Sequence, residues 1–429
     1  MSFKPTDYAL VNVATGRKFE DNGWSLSDPE CTTPSLIRAE YGNIEFNPRT
    51  DLHGFYRYAD WLPVKRTLSG SCAPVTYKSE KLAALLGLNN LYITFSGYWP
   101  EKGALMQTCS FKETEAYSVC ARLSETNDRI LVVASAGNTA RAFAKVCSDN
   151  KIPLLLSIPQ DNIGALWFRE PLDSCVKIIA APEGCDYFDA IALADAVCTS
   201  PEFLAEGGAK NIARRDGMGT TLLSAVEKAG RIPDAYFQAV GSGTGTIAVW
   251  ENTLRLIRDG RFGTHKMRLY PSQNKPFTIM YDTWKANSRT LLPLTAEDAR
   301  AAAGAIEAKV LSNRKPPFSL AGGLFDALSD TCGDMYCITN EELAYWQDKF
   351  EELEGTDIHP AAAVAVASLA KAVKENTVKA DEVIMLNITG GGEKRAKSGK
   401  AIYHALPHLV ISPEEPVENI VAQVKKLFE

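Results

Sequence analysis

The chain has 429 residues, enough for two or three domains of ordinary size. Hydrophobic residues make up 45% and charged residues 23%, which excludes a disordered or fibrous chain. With 46 Lys+Arg against 52 Asp+Glu the net charge is -6, the wrong sign for a surface built to grip nucleic-acid phosphates or anionic lipid. No apolar run reaches the roughly 18–20 residues of a membrane span. Met1 to Pro5 opens without an apolar export segment. The expectation is a soluble, cytoplasmic protein.

Ten cysteines are scattered from Cys31 to Cys337, and no two form a C-x-x-C pair. A zinc site needs ligands paired on tight turns, so these read as small buried apolar residues and no metal is expected. His404 and His408 have helical spacing, but Pro407 interrupts the turn between them.

In chain order, residues 1–60 are turn-rich and read as an N-terminal extension packed on the main body. From about residue 90 short apolar runs end in glycine or polar turns, each followed by a helical stretch. Ile130 to Ala134 enters Ser135-Ala136-Gly137-Asn138-Thr139; Ile152 to Ile158 and Val176 to Ala180 are further runs. Ala235 to Val240 precedes Gly241-Ser242-Gly243-Thr244-Gly245, and Val383 to Ile388 precedes Thr389-Gly390-Gly391-Gly392. Between them, Ala116, Val119, Cys120 and Leu123 predict an amphipathic helix, as do Ala140, Phe143, Ala144 and Cys147. Continuous apolar strands alternating with helices predict α/β layers around buried parallel sheets, whose ligands bind beyond the carboxyl ends of strands.

The glycine-bearing turns lie at those ends. Gly241 to Gly245 lets backbone N–H groups converge on an anion at a helix start, or is simply a tight turn. Thr246 stands where a dinucleotide fingerprint needs a third glycine, and no Lys-Ser/Thr follows for a Walker loop. Ser135 to Thr139 opens a helix whose N–H groups suit a carboxylate; Asn138 either donates to an oxygen or caps that helix. Thr389 ends its strand with a hydroxyl that can face the cleft or solvent. Lys112 begins a helix beside Phe111, an apolar setting that eases deprotonation for Schiff-base chemistry, though most lysines are solvated surface charges.

Ser110-Phe111-Lys112 resembles the lysine motif of fold-type II pyridoxal-phosphate enzymes, above all the threonine synthases. Ser135 to Thr139 is similar to their asparagine loop, Gly241 to Gly245 to their phosphate loop, and Thr389 to Gly392 to their pyridine-nitrogen segment. Tyr56 to Val64 resembles their entry segment, and the order and spacing fit from about residue 57 to 395. Phe95 to Ala104, Glu206 to Arg215 and Phe237 to Gly245 resemble an archaeal branch that makes L-cysteate from O-phospho-L-serine and sulfite, toward coenzyme M.

The resemblance implies a fold like the tryptophan synthase β chain: two three-layer α/β/α domains with pyridoxal 5'-phosphate in the cleft. It implies an extension at 1–60, a large domain at 61–94 and 206–429, and a small domain at 95–205. Lys112 would form the Schiff base and move the α-proton, Asn138 would donate to the ring hydroxyl oxygen, and Gly241, Ser242, Gly243, Thr244 and Gly245 would bind the phosphate. Thr389 would face the pyridine nitrogen. Ser135, Ala136, Gly137 and Thr139 are candidates for the substrate, with Lys102 and Arg141 as candidate cations for the departing phosphate and incoming sulfite. A homo-oligomer, dimer or larger, is expected. Threonine synthase or another β-replacement or elimination enzyme is the alternative.

Two features depart from the wider family. Glu113-Thr114 follows the lysine where threonine synthases carry Asp-Arg, and Tyr8 to Gly16 keeps the outline of a ribbon without its cysteines. Structural zinc is therefore not expected.

Overall fold

The computed structural model describes residues 3–135 and 137–429. Three sheets carry the architecture, and the order of strands in two of them positions the site.

The larger of these two sheets has six strands, in the order Tyr336–Ile338, Arg268–Asn274, Ala235–Ala239, Val383–Ile388, Asn90–Phe95 and Val75–Lys78. Only the last pairs antiparallel. The strand Ala235–Ala239 is wholly buried and Val383–Ile388 nearly so, as expected where helices cover both faces. One cover is Pro360–Lys374, whose alanines favour helix and whose small buried side chains let it lie close against the strands. From Ala235–Ala239 the chain runs outward through Arg268–Asn274 to Tyr336–Ile338, then returns to the opposite flank at Val383–Ile388. That reversal opens a crevice between the strand ends carrying Gly241 and Thr389.

The five-stranded sheet is all parallel, in the order Phe203–Ala205, Ile130–Ala134, Leu154–Pro159, Val176–Ala181 and Leu409–Val410. Its reversal lies between Ile130–Ala134 and Phe203–Ala205, so Ser135 and Glu206 leave the sheet side by side. Leu409 and Val410 pair with Ile179 and Ala180, and Ile420 and Val424 of the last helix pack on Leu193 and Val197. The end of the chain thus joins the sheet expected for 95–205, not the one expected for 206–429. The pairing is only two residues long and joins segments far apart in sequence.

The third sheet, Tyr8–Asn12 with Lys18–Phe19 and Ile37–Tyr41, is antiparallel. An ion pair and a buried hydrogen bond dock it: Arg38 donates to Glu251 at 3.1 Å, and the Tyr41 hydroxyl to Asp216 at 2.6 Å. Among the described residues, no group of three or more His, Cys, Asp and Glu side chains is arranged for a metal ion. His404 sits in a short strand, not on a helix with His408.

The helix Lys112–Arg122 differs from its expected amphipathic form, because every residue from Glu113 to Arg122 is buried. It is clamped between the helices Ile212–Ala229 and Asn138–Asn150. Gly217 permits the close approach, since a Cβ there would lie 2.5 Å from the Thr114 carbonyl oxygen.

Candidate active site

The two crevices face each other across a cleft of about 820 Å³, lined by Lys112, Asn138, Thr139, residues 241–245 and Thr389, among others. Lys112 is set by a backbone seam. Phe111 donates its N–H to the Thr389 carbonyl at 2.9 Å, and Gly391 donates to the Cys109 carbonyl at 3.0 Å. The Lys112 ammonium lies 4.7 Å from the centre of the Phe111 ring and 3.0 Å from Glu115 Oε2. Burial pushes the Lys112 pKa down from its usual value, and Glu115 opposes that shift.

Ser135, not Asn138, caps the following helix. Its Oγ accepts the N–H of Gly137 at 3.2 Å and of Ala140 at 3.0 Å. Asn138 is the first helical residue, its amide oxygen accepting from Arg141 at 3.3 Å, and it borders the cleft. Ala136 lies outside the described residues. The Thr139 hydroxyl donates to Glu115 Oε1 at 2.9 Å.

The loop Gly241 to Gly245 leads into the 16-residue helix Thr244–Asp259, whose first-turn N–H groups lack intrahelical acceptors. Ser242 and Thr244 hydroxyls lie 2.8 Å apart beside them. A Cβ on Gly241 would stand 2.6 Å from the Val310 carbonyl oxygen, and one on Gly245 2.9 Å from the Gln238 amide. Gly243 adopts φ +79, which favours glycine. Backbone donors, two hydroxyls and a helix start in a cradle that side chains would fill are the donor set a phosphate ester requires. With a half-buried amine across the cleft, the residues fit pyridoxal phosphate.

A family model described as "Pyridoxal-phosphate dependent enzyme" matches residues 80–390. The chain belongs to this family. Its cofactor is pyridoxal 5'-phosphate, and its fold is fold type II. Among curated relatives, cysteate synthase of Methanosarcina barkeri (strain Fusaro) is 48% identical over 374 residues, 87% of this chain and 90% of that protein. That of Methanocella paludicola is 48% identical over 400 residues, covering 92% and 93%. That of Methanocella arvoryzae is 44% identical over 419 residues, covering 97% and 99%. Among solved structures, maize serine racemase superposes with TM-score 0.57 at 15% identity, covering 74% of this chain and 88% of that one. Threonine deaminase isoform 2 from Solanum lycopersicum gives 0.53 at 17%, covering 76% and 88%. Both are likenesses of fold.

Two expected site residues do not reach the cleft. Lys102 is exposed on a turn, its ammonium 5.0 Å from the centre of the Tyr77 ring and 5.6 Å from that of Trp99. Arg141 is 3% exposed and stacks 4.5 Å from the centre of the Trp167 ring. Its guanidinium donates to the carbonyls of Thr108 at 2.6 Å and Ala165 at 3.4 Å. The helical turn that follows Asn138 points it behind the cleft wall.

In their place the cleft is lined by cations that the sequence reading does not single out as site residues, Lys210, Arg214, Lys309 and Lys315. Arg214 is already spent, with Nε 2.8 Å and Nη2 2.5 Å from the Glu206 carboxylate and Nη1 3.5 Å from Glu115. Glu206 and Arg214 fall within a segment that carried the family resemblance, but neither spacing nor residue type marked them as part of the site. His359 also borders the cleft, with Nε2 3.1 Å from Glu393. Burial works against the Glu393 carboxylate, yet His359 and Lys397 hold its pKa at about 2.

Proposed function

We propose that the chain catalyses the cysteate synthase reaction, replacing the phosphate of O-phospho-L-serine with sulfite to give L-cysteate, a step toward coenzyme M. What carries this reading is identity of nearly half across about nine-tenths of curated cysteate synthases. Its residue assignments draw on the lining of one cleft.

When bound, pyridoxal phosphate supplies the electron sink that acidifies the substrate α-C–H. Lys112 Nζ would hold the cofactor and, once released by substrate, would take the α-proton and later return it. Asn138 would donate its amide N–H to the ring hydroxyl oxygen, and residues 241–245 would bind the phosphate ester. Thr389 would offer the pyridine nitrogen a neutral hydroxyl, which would favour β-replacement over transamination because it would not keep the ring protonated. Ser135, Gly137 and Thr139 border the position of the substrate carboxylate at the helix start. The β C–O bond breaks with its electron pair leaving on phosphate, and the C–S bond forms from the sulfur lone pair of sulfite. Lys210, Lys309 and Lys315 are the cations assigned to these two oxyanions, in place of Lys102 and Arg141.

Residues 95–205 with the strand and helix after 408 form the small domain, and 61–94 with 206–408 the large one. Assembly as a dimer or larger and a cytoplasmic location belong to the same proposal; among the described residues no helix is long and apolar enough to cross a membrane. Incubation with O-phospho-L-serine and sulfite should release phosphate and form cysteate. Phosphate release only from O-phospho-L-homoserine, with threonine as product, would overturn it in favour of threonine synthase.

A further inference from the structure

Glu115 is fully buried, yet its carboxylate touches the amine at the heart of the cleft. On one side Oε2 lies 3.0 Å from Lys112 Nζ, the i,i+3 neighbour on the same helix. On the other side Oε1 accepts the Thr139 hydroxyl at 2.9 Å and lies 3.5 Å from Arg214 Nη1. Arg214 is anchored by Glu206, which also accepts the Gly208 N–H at 2.9 Å. Lys112 and Arg214 thus face Glu115 and Glu206, two cations with two anions. The other titratable group facing the cluster is Tyr187, whose hydroxyl burial keeps neutral.

This arrangement leaves one carboxylate oxygen tethered from two neighbouring helices and the other aimed at Nζ. When the Lys112 nitrogen is bonded to the cofactor, the Thr139 hydroxyl and Arg214 Nη1 still face Glu115, so the carboxylate keeps partners. When that nitrogen is released, a carboxylate already stands at hydrogen-bonding distance.

We propose that Glu115 is the standing counter-ion of the released Lys112 amine, a positioning residue that holds the ammonium formed when Nζ takes the substrate α-proton. The proton moves from carbon to Nζ, the C–H electron pair stays with the substrate, and Glu115 remains ionised throughout. After the sulfite sulfur bonds to the β-carbon the same proton returns from Nζ to the α-carbon. The inference rests on Lys112 being the attachment lysine.

The test uses the full-length chain freed of cofactor, with Lys112 acetylation by acetic anhydride followed across pH by peptide mass spectrometry. In Glu115→Gln the labelling midpoint should fall by about 1–3 pH units, the usual effect of losing an adjacent opposite charge. Glu115→Asp keeps a charge for Arg214 but draws the carboxylate back by one methylene, so its midpoint should fall less. A parental midpoint in Glu115→Gln with native circular dichroism overturns the inference; if that variant does not fold, a parental midpoint in Glu115→Asp does so. Borohydride reduction of each holoenzyme separates the two ideas. Pyridoxyl on another lysine defeats the Lys112 assignment, whereas pyridoxyl on Lys112 with an unmoved midpoint defeats only the role of Glu115.

Discussion

Phe111 donates its N–H to the carbonyl oxygen of Thr389 at 2.9 Å, joining the residue before the cleft lysine to the strand end across from it. Gly391 repeats the link one step further, onto the Cys109 carbonyl. Lys112 and Thr389 therefore share one backbone seam, and a cofactor held between them meets both at fixed spacing. A side chain on Gly390 could not be accommodated there, since its Cβ would lie 2.4 Å from His359 Nδ1 and 2.8 Å from the Cys109 carbonyl oxygen.

Thr389→Asp puts a carboxylate on a strand end that lines the cleft. β-Replacement should slow by about tenfold or more, about 1.4 kcal/mol of barrier, while side transamination rises. Keto-acid formation followed by chromatography checks this. Unchanged rates for both reactions mean that the hydroxyl does not meet the ring nitrogen.

Ser135 and Asn138 separate stability from cofactor binding. Ser135→Ala removes the acceptor of two N–H groups at the start of a 13-residue helix and should cost about 1 kcal/mol in denaturant unfolding. Asn138→Ala leaves that cap in place, so it should weaken cofactor retention on dialysis with a smaller loss of stability. The reverse pattern contradicts the assignment.

How much of this was legible follows from how each residue reaches the site. Lys112, Asn138, the 241–245 loop and Thr389 sit at or near the carboxyl ends of strands or the starts of helices, where a local run of residues already carries the geometry. Glu115, Glu206 and Arg214 meet only because separate elements pack together, and no spacing in the chain announces that. Lys102 and Arg141 stand close in sequence to site motifs, but one is on an outer turn and the other points behind the wall. The pairing of Leu409 with Ile179 was equally hidden, because two residues at the far end of the chain carry no strand signal of their own.

Glu113, the departure from the Asp-Arg pattern, has a titration of its own. Burial raises its pKa to about 7 from 4.5, against the N–H of Thr108 that its carboxyl accepts. The folded state therefore favours the neutral acid. That contribution, about 3 kcal/mol at most, is fully present below pH 4.5 and is lost as pH rises through about 7. Urea unfolding across this range should show stability falling with pH from this group, and Glu113→Gln should flatten the slope. A slope that persists unchanged in the variant assigns it elsewhere.

Gly241→Ala sets a methyl against the Val310 carbonyl oxygen. The loop must shift, at a cost of about 1–3 kcal/mol, and the backbone donors lose their convergence. Cofactor affinity, read by fluorescence titration of stripped protein, should fall by about tenfold or more. Parental affinity in a folded variant means that this loop does not cradle the phosphate.

The substrate pair is read most directly from the mass of the product. The enzyme is given O-phospho-L-serine with heavy-sulfur sulfite, and the amino acid formed is weighed by mass spectrometry. L-Cysteate carrying the heavy sulfur is expected, with phosphate released in equal amount. Threonine from O-phospho-L-homoserine, with no sulfur entering any product from phosphoserine, would contradict it.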